Sequence, residues 1–214
     1  MDTTPPKYAD GLSPPHYAQN IAARAAAQAE PPAKAHQLNI LPYIGAYRDV
    51  QLFRPGKPLP AYFCTIAHLG GHSLTLQKNS QSGPVVGYAH YRTSGSINCG
   101  IGPDERSLQW IPMRAQGECF RFEWQERKYS LRKAQGEDLG LGAVNLHGEH
   151  LKVVDEETQG IVALLISEGQ SGAANATLKM AGGVKGEAEV LIVLAMLSWR
   201  DRIRRAGSLR PGEK

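Results

Sequence analysis

Long apolar runs, paired cysteines and a surplus of one charge are all scarce in this chain of 214 residues. No stretch of about 20 apolar residues occurs, which excludes an ordinary membrane-spanning helix. Cysteine is limited to Cys64, Cys99 and Cys119. An odd, widely spaced set reads as free thiols in a reducing compartment, not as a disulfide framework. The opening residues MDTTPPKYADGL have neither a basic n-region nor an apolar h-region, which predicts no secretory leader and a cytoplasmic protein. Asp2 follows the initiating Met, so the sequence carries no myristoylation signal. The net charge is only +4. Residues 199–214 account for all of it, with six basic side chains against two acidic ones, and the remaining 198 residues hold 18 of each sign. A nucleic-acid binder would spread its positive charge over a face, and this chain does not.

What is present is unevenly distributed. Seven of the 14 prolines fall in residues 1–42, a segment with one glycine and no Phe or Trp. Such a segment cannot bury enough apolar surface to offset chain entropy, so residues 1–40 are expected to form a disordered tail. From residue 41 onward, short β-prone runs follow one another, with Gly, Pro, Asn or Asp between many of them. Eleven such runs lie between Tyr47 and Met180. Cys119–Gln125 alternates most clearly, with Phe120, Phe122 and Trp124 on one face and Arg121 and Glu123 on the other. Asp155–Gly160 reads as a hairpin loop between two runs.

One segment has a different period. Val190–Leu197 is apolar at eight consecutive positions, with acidic Glu187 and Glu189 before it and the cluster Arg200, Arg202, Arg204 and Arg205 after it. These charges suit the two poles of a helix dipole, and a helix over about 186–205 is expected. A helix that is apolar on every side is buried. About 12 mostly apolar residues span only about 18 Å, too little for a bilayer core of roughly 30 Å. The strands must therefore enclose it. The fold expected over residues 41–206 is a closed antiparallel β-barrel of about 11–12 strands around a C-terminal apolar helix, with 207–214 as a basic tail.

This arrangement resembles the tubby C-terminal-like superfold, which includes tubby proteins, phospholipid scramblases and the LURP-one-related proteins. Phe120–Ala134, Leu151–Ser167, Ala176–Ala181 and the Glu187–Trp199 helix carry the likeness, which spans about residues 45–205. The resemblance implies a non-enzymatic barrel acting at membranes or in signalling. A scramblase-like acidic calcium loop, a palmitoylated cysteine cluster and the C-terminal signature of true tubby proteins are not found in the sequence.

The tail holds the most specific short motif. Pro5-Pro6-Lys7-Tyr8 and Pro14-Pro15-His16-Tyr17 both match P-P-x-Y. Bulk frequencies give roughly 0.03 matches by chance, although a proline-rich tail raises that rate. Proline pre-orders the polyproline II helix that WW domains dock on aromatic grooves. Pro5, Pro6, Tyr8, Pro14, Pro15 and Tyr17 are thus candidate contacts for a WW-domain protein, HECT-type ubiquitin ligases among them. Two copies would permit bivalent capture by tandem WW domains. Arg200, Arg202, Arg204 and Arg205 are candidate contacts for anionic membrane lipid, each contributing on the order of 1 kcal/mol near such a surface; helix termination and solubility are the plainer reading.

Other motifs are weak. His68 and His72, and His147 and His150, lie at glycine-containing turns without the further ligands a zinc site needs, so no metal is expected. Gly100-Ile-Gly102 and Gly140-Leu-Gly142 lack the third glycine and following helix of a dinucleotide site, and no cofactor is expected. Neither Ser94 nor Ser171 matches G-x-S-x-G. The sequence points to a non-enzymatic adaptor. A phospholipid- or phosphoinositide-binding or scramblase-like membrane protein is the first alternative, and a small-ligand carrier or hydrolase the second.

Overall fold

A strand with one apolar face must bury that face, and a sheet must protect its edges; closing the sheet does both. The computed structural model of the chain describes residues 34–43, 49–67, 73–104, 106–139, 150–167 and 175–208. Among them are β1 (His36–Pro42), β2 (Val50–Phe53), β3 (Pro60–Ile66), β4 (Leu74–Lys78), β5 (Val85–Tyr91), β6 (Ile97–Ile101), β7 (Gln109–Gln116), β8 (Cys119–Trp124), β9 (Arg127–Lys133), β10 (Leu151–Asp155), β11 (Ile161–Ser167) and β12 (Ala176–Met180). One helix, α1 (Glu187–Ser208), follows them, and a single 3-10 turn, Glu137–Leu139, lies between β9 and β10. Each strand pairs antiparallel with its neighbours in the chain. β1 pairs with both β2 and β12, with Leu38 opposite Leu178, and so closes the barrel. The expected closed antiparallel barrel with a C-terminal helix is the architecture found.

Strand side chains point alternately in and out. In β8, Phe120, Phe122 and Trp124 are buried while Arg121 and Glu123 are exposed, as the alternation predicts. The turn Asp155–Gly160 closes the β10–β11 hairpin through Asp155 N–H donating to the Gly160 carbonyl at 3.0 Å. Two boundaries differ from the sequence-based expectation. β1 begins at His36, inside the segment that composition assigns to the tail. Helix α1 runs to Ser208 instead of stopping near residue 205.

Every α1 residue from Val190 to Asp201 is buried. Leu194, Val193 and Met196 are fully enclosed and belong to the same core as Leu38, Leu76, Ile97 and Leu178 from the barrel wall. Full burial of each large apolar side chain is worth roughly 1.5–3 kcal/mol. Gly186, with φ of +60°, sits in the left-handed region open to glycine and turns the chain from β12 into α1. The helix lies against β5 and β6, and less against β4. Gly87 on β5 makes this approach possible: a Cβ there would lie 2.7 Å from Leu194 Cδ1 and 2.9 Å from the Gly100 carbonyl oxygen. Among the described residues, no helix is long and apolar enough to cross a membrane.

His150, just before β10, is buried, and its Nδ1 accepts the Ser167 backbone N–H at 3.3 Å. Burial pushes its pKa below the ordinary 6.5. The unfolded chain then takes up this proton before the folded one, so the His150 contribution to stability is present above about pH 6.5 and fades as pH falls below it. Urea unfolding at about pH 7.5 and 5.5 is expected to show a smaller pH-dependent loss of stability in His150→Gln than in the natural protein.

Candidate functional site

The barrel has two ends, and polar side chains gather at both. Where α1 enters, Glu189 stands in its first turn, only 3% exposed. Arg54 Nη2 donates to Glu189 Oε1 at 2.8 Å, the Tyr62 hydroxyl donates to the same oxygen at 3.0 Å, and His36 Nε2 lies 3.0 Å from Oε2. The partners come from the start of β1, the end of β2 and the start of β3. Burial, reinforced by the Glu189 charge, pushes the Tyr62 phenol well above its usual range. A carboxylate placed near a helix N-terminus is also stabilised by the backbone dipoles there. This cluster fixes where the helix enters the barrel.

Where α1 leaves, buried Asp201 takes the equivalent part. Tyr91 donates between the Ser198 carbonyl (3.0 Å) and Asp201 Oδ2 (2.9 Å), and Arg205 Nε donates to Asp201 Oδ2 at 2.6 Å. Arg205 also donates to the Ala67 carbonyl at 2.8 Å and lies over the Tyr91 ring. Arg202 Nη1 donates to the Gly95 carbonyl, and its guanidinium lies over the Phe120 ring, which in turn meets Trp199 edge-on.

These contacts change the reading of the arginine cluster. Arg200 is only 3% exposed, so it offers no surface to a lipid headgroup. Arg202 and Arg205 are half-buried and hold the helix end to the barrel; Arg204 is half-buried beside them. In sequence these side chains look like one basic patch. A helix turns about 100° per residue, however, and here Arg202 reaches Gly95 and Phe120 while Arg205 reaches Asp201, Ala67 and Tyr91.

A cleft of about 440 Å³ opens at the end where α1 enters, on the side away from β4–β6. Phe122, Trp124 and Tyr129 line it from β8 and β9, and Val184, Leu191 and Ile192 line it from the α1 side. The Phe122 and Tyr129 rings stack with centroids 5.3 Å apart. At the rim Arg127 Nη2 pairs with Asp155 Oδ2 at 2.7 Å. Asp155 Oδ1 accepts the backbone N–H groups of Glu157 (2.9 Å) and Thr158 (3.3 Å). Trp124 is 5% exposed, and among the described residues no acceptor reaches its Nε1, which is itself buried.

No protein-family model, curated protein or solved structure matches the chain. What stands is the architecture: a closed barrel of twelve described strands with one C-terminal helix, compatible with a tubby-like fold.

The P-P-x-Y residues Pro5, Pro6, Tyr8, Pro14, Pro15 and Tyr17 lie outside the described residues, as do His68, His72 and His147. Among the described residues no group of three or more His, Cys, Asp or Glu side chains is arranged to hold a metal ion. Cys64 and Cys99 are fully buried in the barrel core, where burial drives both thiols up, Cys99 to about 12, and so holds them in the unreactive protonated form. The residues around Glu189 and the cleft at Trp124 carry no motif. They are joined only by barrel closure, across sequence separations such as the 153 residues between His36 and Glu189.

Proposed function

We propose that this protein is a non-enzymatic adaptor. Its tail, residues 1–40, binds WW-domain proteins through Pro5, Pro6 and Tyr8 and through Pro14, Pro15 and Tyr17. Its barrel, of the tubby C-terminal-like type, docks on a second partner. The observation that carries this reading is the pair of P-P-x-Y segments nine residues apart in the sequence. A proline pair followed by tyrosine fills both the proline groove and the tyrosine groove of a WW domain at low entropic cost. HECT-type ubiquitin ligases carry such domains in series, and bivalent engagement raises avidity without any new contact.

The barrel supports the second half of the reading. Its central helix is anchored by charged clusters at both ends, so the body is a rigid one on which a recruited enzyme can be positioned. The cytoplasm is the compartment this reading requires, because WW-domain partners work there.

The test uses the full chain and a tandem WW-domain protein. Binding is expected to fall by about one to two orders of magnitude in Tyr8→Ala or Tyr17→Ala alone, because one site then lacks its partner. It is expected to vanish in the double variant. Calorimetric titration of all three variants decides the matter, and unchanged binding by the double variant would remove the proposal.

A further inference from the structure

Over its first 198 residues the chain carries equal numbers of basic and acidic side chains, yet the barrel does not spread them evenly. At the mouth where α1 enters, two clefts adjoin, and Arg54 lines both. The first, of about 380 Å³, is also lined by His36 and Lys179; the second, of about 320 Å³, by Lys57, Lys78 and Leu59. Among the described residues no Asp or Glu lines either cleft. Buried Glu189 engages Arg54 and His36. Lys57, Lys78 and Lys179 are exposed, and among the described residues none of the three is in an ion pair. They come from the β2–β3 turn, the end of β4 and β12, and barrel closure gathers them. Leu59 stands beside them 74% exposed, the most exposed of the large apolar side chains described, and Pro58 and Pro60 restrict the backbone on either side of it. A single exposed leucine is ordinary. Here it lies among like charges that no acidic side chain of the clefts offsets.

We infer that this mouth is the surface through which the barrel half of the adaptor holds its second partner, and that the partner offers an extended acidic segment with an apolar side chain among its Asp or Glu residues. The sign of the charge follows from the lining of the two clefts. A chain, and not a single small anion, follows from their arrangement: the cations lie on both sides of Arg54, and one small anion would satisfy one cleft and leave the other. A peptide, and not a bilayer, follows from concavity. The cations line recesses that a flat lipid surface does not enter, whereas a peptide can lay acidic side chains into both and an apolar one against Leu59. The inference rests on the adaptor reading of the barrel and is independent of WW-domain binding by the tail.

The probe is a fluorescein-labelled peptide of glutamates flanking a central leucine, titrated against the full chain by fluorescence anisotropy. Saturable binding is expected, weakening several-fold as salt rises from about 0.05 M to about 0.3 M, and the glutamine counterpart of the peptide should not bind. The triple variant Lys57→Gln, Lys78→Gln, Lys179→Gln should bind about tenfold more weakly. The triple variant Arg114→Gln, Lys128→Gln, Lys133→Gln removes the same charge from exposed positions on β7 and β9 and should change binding by less than about twofold. Leu59→Ser should weaken binding about fivefold and leave its salt dependence in place. Every substituted position is exposed, so the variants keep the barrel, and Arg54 is left intact because it holds Glu189. The Tyr8→Ala, Tyr17→Ala variant should bind the acidic peptide as the natural protein does, which separates failure of this surface from failure of the tail. Absence of saturable binding, equal binding of the glutamine peptide, or equal losses in the two triple variants would each overturn the assignment. Flotation with phosphatidylcholine vesicles containing about a third phosphatidylserine tests the membrane rival. If the Lys57, Lys78 and Lys179 changes abolish capture by these vesicles and leave peptide binding intact, the surface is a membrane contact and the assignment falls.

Discussion

Truncating Leu194 to alanine is expected to lower the unfolding free energy by about 3–4 kcal/mol, among the largest effects of any conservative change in this chain. Leu194 is fully enclosed halfway along a helix that is itself enclosed, so the surrounding barrel has little freedom to collapse into the space left behind. The expectation becomes sharper when Gly87 is included. Gly87→Ala places a methyl group 2.7 Å from Leu194 Cδ1 and 2.9 Å from the Gly100 carbonyl oxygen. Overpacking of this kind costs about 1–3 kcal/mol. In the double variant the Leu194 branch is gone, and the methyl group introduced on β5 occupies part of the vacated volume. The double variant should therefore be more stable than the two single losses predict when added, by about 1 kcal/mol or more. The clash with the Gly100 carbonyl remains, so the rescue is partial. Urea unfolding of the four proteins measures this coupling directly. Strict additivity would mean that α1 does not meet β5 at this point, and the position of the helix in the barrel would need revision.

The features legible in sequence were those set by local period and composition. Phe120, Phe122 and Trp124 alternate with charged side chains and became the inner face of β8. Val190–Leu197 is apolar on every side, and the chain has strands enough to enclose it. β1 escaped notice for a physical reason. In His36–Pro42 only Leu38 and Ile40 face the core, and the strand ends in a proline beside a proline-rich segment, so its signal is short and locally contradicted. Closure of the barrel depends on that strand, because it alone joins β12 to β2. The burial of Arg200 was not legible at all. Arg200 sits among basic neighbours, yet its burial depends on which way a helix face turns inside a wall made by distant strands. No local pattern carries that. The same holds for the cleft. Trp124 reads as a core side chain in sequence and is one; that its Nε1 lacks an acceptor depends on β9, the β10–β11 turn and α1 converging there.

The second large effect concerns the buried carboxylate at the entry of α1. Arg54→Ala is expected to cost about 2–3 kcal/mol, and Glu189→Gln only about 1 kcal/mol, although both remove the same ion pair. The asymmetry follows from exposure. The Glu189 side chain is 4% exposed, whereas that of Arg54 is 42% exposed. When Arg54 is lost, the carboxylate stays in the barrel mouth with, among the described residues, the Tyr62 hydroxyl and His36 as its remaining side-chain partners, and a charge left short of partners away from water is expensive. When Glu189 becomes glutamine, Arg54 turns to solvent, and the amide oxygen still accepts from Tyr62. Combining the two changes removes the charge that made Arg54→Ala costly. The double variant is therefore expected to be less destabilised than the sum of the two, by about 1–2 kcal/mol. The measurement is again urea unfolding near neutral pH, compared at constant m-value. If Glu189→Gln proves as costly as Arg54→Ala, the pair itself holds the helix in place. If Arg54→Ala costs less than about 0.5 kcal/mol, the pair behaves as a solvent-screened surface bridge, and Tyr62 with His36 suffices to seat the helix.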